Sequence, residues 1–180
     1  QPIHRNGVYM ICNGEIYNHQ ELYNDIRHDK LNIPTTQSDC EIILDLYIHY
    51  GIEYTCKILR GEWAFIIYDT RKLNNCLLDS NNYKNCLFVA RDCLGKRPLY
   101  TGSNARQHTG KSIGFASEAM SLSDRYNNVT QFPPGSYQRF QFTDDDKIMN
   151  IGAITQWFDY DIMMAIPKTN TEVALINNEI

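Results

Sequence analysis

The chain has no apolar run near the roughly 18 residues that cross a bilayer, and its start carries no secretory signal pattern. A transmembrane helix and a secreted chain are therefore not expected. Clustered positive charge is missing as well: 17 Lys and Arg are scattered among 21 Asp and Glu, for a net charge of −4. A nucleic-acid binder needs a basic face for the phosphate backbone, so no nucleic-acid partner is expected. No C-x-x-C pair occurs among Cys12, Cys40, Cys56, Cys76, Cys86 and Cys93, and His4, His19, His28, His49 and His108 do not fall at zinc-ligand spacing around them. No metal site is expected. Without a secretory signal, the cysteines read as free thiols in a reducing compartment, which points to the cytoplasm. What is present is core material. Seven Phe, twelve Tyr and two Trp stand in 180 residues that are 43% hydrophobic, enough for a folded domain.

Val8 to Cys12 is a short apolar run closed by Asn13-Gly14, and reads as a strand running into a tight turn. Asn18 and Glu21 have capping-box spacing for a helix whose buried stripe is Leu22, Tyr23 and Ile26. Ser38 and Glu41 repeat that spacing before Ile43, Leu46, Tyr47 and Tyr50, with Gly51 where a left-handed helix end belongs. Trp63–Tyr68 and Cys86–Ala90 are apolar on both faces of a period-two pattern and predict strands covered on both sides. Pro98–Tyr100, Ile113–Ala116 and Ser136–Phe142 predict further strands. Asn74 to Asn85 reads as a polar loop, and Asp144 to Asp146 as a turn. The sum is α+β: helices followed by antiparallel strands, with the helices on the outer faces of the sheets.

Asn13-Gly14 carries two readings. An Asn side-chain amide beside a backbone N–H is the usual makeup of an oxyanion hole. A hairpin turn is the commoner use of the dipeptide taken alone. The surrounding octapeptide, Cys12-Asn13-Gly14-Glu15-Ile16-Tyr17-Asn18-His19, resembles the class II glutamine amidotransferases, and specifically the glutaminase domain of glutamine-hydrolysing asparagine synthetases. The likeness continues in order through Gln1-Pro2-Ile3, Ser38-Asp39-Cys40-Glu41, Gly61-Glu62-Trp63-Ala64-Phe65 and Ala90-Arg91-Asp92 to Tyr100. Phe115-Ala116-Ser117-Glu118 and Phe132-Pro133-Pro134-Gly135 complete it.

That resemblance implies the four-layer αββα fold of the amino-terminal-nucleophile hydrolases. It spans residues 1–160 as a partial amidotransferase domain, with 161–180 as a linker and the first helix of a synthetase domain. It implies that Asn13 and Gly14 are the catalytic oxyanion-hole pair and that Glu15 and Asp39 bind the α-ammonium of L-glutamine. Asp39 also has a plainer reading, a carboxylate favoured by the dipole at a helix start. Two departures stand out. The family's nucleophile is a cysteine at the first position of the mature chain, and residue 1 here is Gln. The arginine for glutamine's α-carboxylate also belongs to an upstream segment. Gln1 is not an initiator Met and Thr171–Ile180 reads as an interrupted helix, so an internal piece of a longer chain is expected. Cys12 is a poor substitute nucleophile, since it has no free α-amino group and lies on a buried strand. Arg91 and Asp92 read as a structural ion pair, and Arg97 is placed outside the glutamine pocket.

The expected function is the glutaminase part of an asparagine synthetase, supplying ammonia to a synthetase domain of the same chain that uses ATP and magnesium to convert aspartate to asparagine. No cofactor is expected in this segment, and a homodimer is allowed for. The alternatives are another class II amidotransferase, or a degenerate non-catalytic scaffold of the same fold.

Overall fold

Alternation along Val8–Ile16 sets the architecture. Val8, Met10, Cys12 and Ile16 are buried on one side of this strand, while Tyr9, Ile11 and Asn13 face the other and are exposed. The computed structural model describes residues 1–26, 34–71, 85–104, 112–142 and 148–161. The elements are β1 (Ile3–Arg5), β2 (Val8–Ile16), α1 (His19–Ile26), α2 (Glu41–Ile58), β3 (Gly61–Asp69), β4 (Asn85–Arg91), β5 (Tyr100–Asn104) and β6 (Ser112–Ala116). Then follow α3 (Met120–Ser123), β7 (Asn128–Gln131), β8 (Ser136–Phe142), β9 (Ile148–Ile151) and β10 (Thr155–Gln156).

Among the described residues all the strand pairs are antiparallel and form two sheets. The large one runs β1-β2-β3-β4-β8-β10, with β9 also on β8, and the small one runs β6-β5-β7. The strands expected from their two-sided apolar pattern are covered on both faces. Trp63, Phe65, Ile67, Phe88 and Ala90 pack with Leu22, Ile43, Leu46 and Tyr47 of the helices. Ala64, Val89 and Phe140 on the opposite face pack against Leu99 and Phe132, with Ile113 and Phe115 of β6 alongside. Beyond the small sheet lies α3 with its buried Leu122, and the Tyr126 ring lies flat on the paired Gly102 and Gly114. The order helix, sheet, sheet, helix is the αββα arrangement, with an outer layer of one short helix among the described residues.

Several local expectations are corrected. Asn13-Gly14 is not a turn: both residues lie inside β2, opposite Ala64 and Trp63 of β3. Two glycines allow this. A Cβ at Gly14 would collide with the Glu62 carbonyl oxygen, and one at Gly61 with the Glu15 carbonyl oxygen, so the strands approach too closely for any side chain. Asn18 does not cap α1 with its side chain. Its amide donates to the Ile58 carbonyl (3.0 Å) and its Oδ1 accepts the Arg60 N–H (2.9 Å), tying the start of α1 to the end of α2. Leu22 and Tyr23 are buried as expected, whereas the side chain of Ile26 lies outside what is described.

No capping box closes α2 either. The cap position is Cys40, and Glu41 turns away from the helix start. Its carboxylate accepts N–H and O–H from both Thr35 and Thr36 at 2.6–2.8 Å and pairs with Arg5 at 2.6 Å. Arg5 also pairs with the buried Asp45, which accepts from Tyr23 Oη at 3.2 Å. Burial alone would raise the Glu41 carboxyl, but the hydrogen bonds from Thr36 and Thr35 hold it below its ordinary value. Gly51 has its positive φ (81°), yet the chain re-enters a helix beyond it, so it makes a kink rather than an end, and Tyr50 is left exposed. β4 begins at Asn85 and β5 at Tyr100, shifting two expected boundaries. The rest of the asparagine-rich loop, the Asp144–Asp146 turn and the tail beyond residue 161 lie outside the described residues.

Candidate functional site

The site grows from one edge of β2. Antiparallel pairing sends the main-chain groups of alternate residues to alternate sides. Tyr17 N–H donates to Arg60 O (2.8 Å) and Thr70 N–H to Gly7 O (2.9 Å), so the odd-numbered residues of β2 face β3. Even-numbered residues face the other edge. β1 covers that edge only as far as Met10. Beyond it, the Gln1 side chain acts as a one-residue strand: its Oε1 accepts the Cys12 N–H (2.8 Å) and its Nε2 donates to the Cys12 carbonyl (2.7 Å). Further along, Ile16 N–H donates to Asp39 Oδ2 at 2.6 Å. Gly14 lies between these two closures. Its N–H faces the same open edge, and its carbonyl accepts the Cys40 thiol at 3.6 Å.

Asn13 points its side chain out of the opposite face from Cys12. The amide Nδ2 donates to Ser117 Oγ at 3.3 Å, at the rim of a cleft of about 170 Å³ between the two sheets. The cleft wall is apolar (Ile11, Ala64, Leu99, Phe115), with Gln1 and Ser117 as polar groups at its mouth. Asn13 and Gly14 therefore present one donor above the strand and one beside it. That is the arrangement an oxyanion between them would use.

Acidic groups lie on both sides of this stretch of β2. Glu15 is exposed, with Arg97 Nη2 at 3.9 Å. Arg97 pairs more closely with Glu62 (2.7 Å), which Lys96 also approaches (3.3 Å). Asp39, expected to serve the helix dipole as well, turns its Oδ2 to β2 instead of the first turn of α2. The structure thus brings Asp39, from a separate segment, to the Gly14–Ile16 edge of β2, whereas the contact of Glu15 is with Arg97 on the side of β3.

Arg91 and Asp92 are not the expected ion pair. Arg91 donates to the carbonyls of Arg97, Phe132 and Gly95 (2.6–2.7 Å), while Asp92 accepts the N–H groups of Leu94, Lys96, Trp63 and Arg97 (2.9–3.2 Å). They do fix the loop, through its backbone, and so present Arg97 and Lys96 to Glu62.

Cys12 is no nucleophile for this site. Its thiol faces the helix layer, away from the Asn13 amide, and the neighbouring Cys40 thiol together with burial pushes it well above the ordinary thiol range. Among the described residues no three His, Cys, Asp or Glu converge as metal ligands, and no helix is long and apolar enough to cross a membrane.

Two contributors escaped the reading of single residues. Ser117 was visible only as part of Phe-Ala-Ser-Glu, because its contact with Asn13 spans the gap between sheets. Gln1 was visible only as part of Gln-Pro-aliphatic, and nothing local announces that its amide completes a strand edge.

Comparison with known proteins gives the family and the fold. Residues 1–151 match the family model described as a glutamine amidotransferase domain. Asparagine synthetase [glutamine-hydrolyzing] 2 of Oryza sativa subsp. japonica is 36% identical over 137 residues, which are 75% of this chain and 20% of that protein. The probable asparagine synthetase of Acanthamoeba polyphaga mimivirus is 38% identical over 133 residues, 73% of this chain and 20% of the relative. The chain thus spans about a fifth of the length of the curated relatives it matches. Among solved structures, glutamine phosphoribosylpyrophosphate amidotransferase from B. subtilis, in complex with ADP and GMP, superposes with a TM-score of 0.57 at 19% identity. That match covers 88% of this chain and 32% of the other, and it shows the shared fold.

Proposed function

The chain belongs to the glutamine amidotransferase domain family, and on that premise we propose that it is the glutaminase part of a glutamine-hydrolysing asparagine synthetase. Its substrate is L-glutamine. When the side-chain amide is attacked, the carbonyl oxygen becomes an oxyanion that Asn13 Nδ2 and the Gly14 N–H stabilise. Asp39 and Glu15 hold the α-ammonium, since a zwitterionic amino acid needs oxygen ligands for its cation. Cys12 does not supply the attacking thiol, because it faces the helix layer rather than the Asn13 amide. The ammonia released serves a synthetase domain that uses ATP and magnesium to activate aspartate. Free cysteines among the described residues fit a cytoplasmic location.

One observation carries this reading: Asp39 closes β2 at Ile16, immediately beyond the Gly14 N–H and beside Glu15. Two motifs far apart in sequence converge on one open strand edge.

Calorimetric titration of the chain with L-glutamine tests it, with D-glutamine and L-glutamate as controls. L-glutamine is expected to bind more tightly than either, and Asp39→Asn to weaken it. Equal heats from all three ligands would overturn the reading.

A further inference from the structure

Cys12 and Cys40 are a second chemical feature at the same strand edge, one that the glutaminase reading leaves unused. Cys12 sits on the helix-facing side of β2, one residue before Asn13, and Cys40 caps α2, one residue after Asp39. Both are buried in the same core cluster. The Cys40 sulfur reaches the Gly14 carbonyl at 3.6 Å, and Gly14 is two residues from Cys12 on the same strand. Each thiol is the largest single influence on the other's ionisation, which makes the two sulfurs direct neighbours. We propose that Cys12 and Cys40 form a peroxide-responsive dithiol pair whose disulfide ties β2 to the start of α2 across the candidate glutamine site.

The roles within the pair follow from their surroundings. The neighbouring Cys12 thiol holds the Cys40 thiol below its ordinary value, and Cys40 stands at a helix N-terminus, where the dipole favours a thiolate. Cys12 is pushed up by Cys40 and by burial. Cys40 is therefore the attacking sulfur and Cys12 the resolving one. The Cys40 thiolate attacks one oxygen of hydrogen peroxide, breaking the O–O bond and releasing hydroxide, and becomes a sulfenic acid. The Cys12 sulfur then displaces the sulfenic oxygen, its own proton leaving with that oxygen as water. Two thiols and one peroxide give one disulfide and two waters. The other described cysteines are differently placed. Cys56 is fully buried with its thiol pushed up by burial, Cys86 is buried on β4 with its sulfur accepting from the Arg139 guanidinium at 3.2 Å, and Cys93 is on the loop after β4.

The bond has a consequence at the site. It removes the S–H bond from Cys40 to the Gly14 carbonyl and pulls the start of α2 toward Cys12, shifting Asp39 relative to Ile16 and Gly14. That consequence rests on the glutamine reading, whereas formation of the bond does not.

Peptide mapping by mass spectrometry after titration of the whole chain with hydrogen peroxide tests the proposal. A linked Cys12–Cys40 peptide is expected at the lowest effective dose, while Cys56, Cys86 and Cys93 still alkylate. In Cys12→Ser, a dimedone adduct should accumulate on Cys40. If that variant does not fold, the mapping of the unaltered chain decides alone. Oxidation of Cys93 first, with Cys12 and Cys40 still alkylating, would overturn the pair. The oxidised chain is expected to bind L-glutamine about tenfold more weakly, the size of one charge-assisted hydrogen bond. Equal affinity in both redox states would overturn the link to the site. Failure of the reduced chain to bind L-glutamine would overturn the glutaminase reading instead and leave the disulfide standing.

Discussion

Two groups of carboxylates lie on either side of Cys40, and they are treated in opposite ways. Glu41 and Asp45, inside α2, are fully buried and bonded by Arg5, Thr35, Thr36 and Tyr23. Asp39 lies at the open edge of β2, where one oxygen accepts the Ile16 N–H, and Glu15 is exposed, with the Arg97 guanidinium at 3.9 Å. A carboxylate that the chain satisfies from within holds the fold, because nothing else could satisfy it there. A carboxylate left with free acceptor capacity at an accessible edge can take a ligand's cation. The difference separates structure from function within three residues of sequence.

Breaking the buried group should give the largest effect. Glu41→Ala would leave Arg5 beside Asp45 alone and strip the Thr35 and Thr36 donors of their acceptor. Removing one partner of a buried ion pair costs about 3–5 kcal/mol, and urea denaturation should show that loss. A change below about 1 kcal/mol would mean that Glu41 is as dispensable as a surface charge.

Acid acts on the same group. Glu41 and Asp69 are both held below their ordinary values; burial opposes this in each, while Thr36 and Thr35 lower Glu41, and Arg71 lowers Asp69. A lowered carboxylate contributes stability above its unfolded pKa, and that stability is lost as pH falls through its folded one. Melting temperature should therefore hold level from pH 7 to about 5 and drop below about 4.5. Glu41→Ala should flatten the drop, and a profile unchanged by the substitution would remove Glu41 from the account.

At the site, the effects should fall on glutamine chemistry and spare the fold. On the proposed function, in a protein that carries this domain together with a synthetase domain, Asn13→Ala should lower glutamine-dependent asparagine formation by about 10²–10³-fold. Ammonia-dependent formation should stay intact, because aspartate activation never meets that oxyanion. Equal loss with both nitrogen sources would make Asn13 a structural residue through its contact with Ser117.

Asp39→Asn is smaller and different in kind. Its amide oxygen can still accept the Ile16 N–H, so stability should change by less than about 1 kcal/mol. The charge facing the ammonium is gone, so the dissociation constant for L-glutamine should rise about ten- to a hundredfold, with KM rising more than kcat falls. A loss of stability without a change in binding would place Asp39 with Glu41 and dissolve the contrast.

The strands were legible because their patterning is two-sided. Trp63–Tyr68 and Cys86–Ala90 could be covered on both faces only between two layers, and Ser136–Phe142 forms the strand expected of it. The turn reading of Asn13-Gly14 failed because Gly14 is required by the close approach of Glu62 rather than by a reversal of the chain. Both capping boxes failed because tertiary partners outbid the local ones. Ile58 and Arg60 took the Asn18 side chain, and Thr35, Thr36 and Arg5 took Glu41. The candidate site was legible from the resemblance alone. Nothing in local sequence says that Asp39 reaches Ile16, since only the antiparallel register of β2 against β3 leaves that N–H facing outward.

The smallest expected effect is at Arg97, and its sign tests where the site ends. Arg97 is partly exposed, lies at 3.9 Å from Glu15 and is bound more closely to Glu62. An ion pair of this kind contributes about 0.2–1 kcal/mol, which limits its influence on ligand binding to about fivefold. Its direction follows from charge. Arg97 competes with the ligand's ammonium for Glu15, so Arg97→Ala should tighten L-glutamine slightly. The loop should survive, because Asp92 holds it through the Arg97 N–H, which alanine keeps, and Lys96 still reaches Glu62. Raising the salt concentration should shrink the difference between the two proteins, as it does for exposed charges generally. Calorimetry at low and high salt reads both effects. A loss of affinity beyond tenfold in Arg97→Ala would mean that the guanidinium holds the α-carboxylate of glutamine. Arg97 would then belong inside the site, and the edge of β2 would bind both ends of the zwitterion from this chain alone.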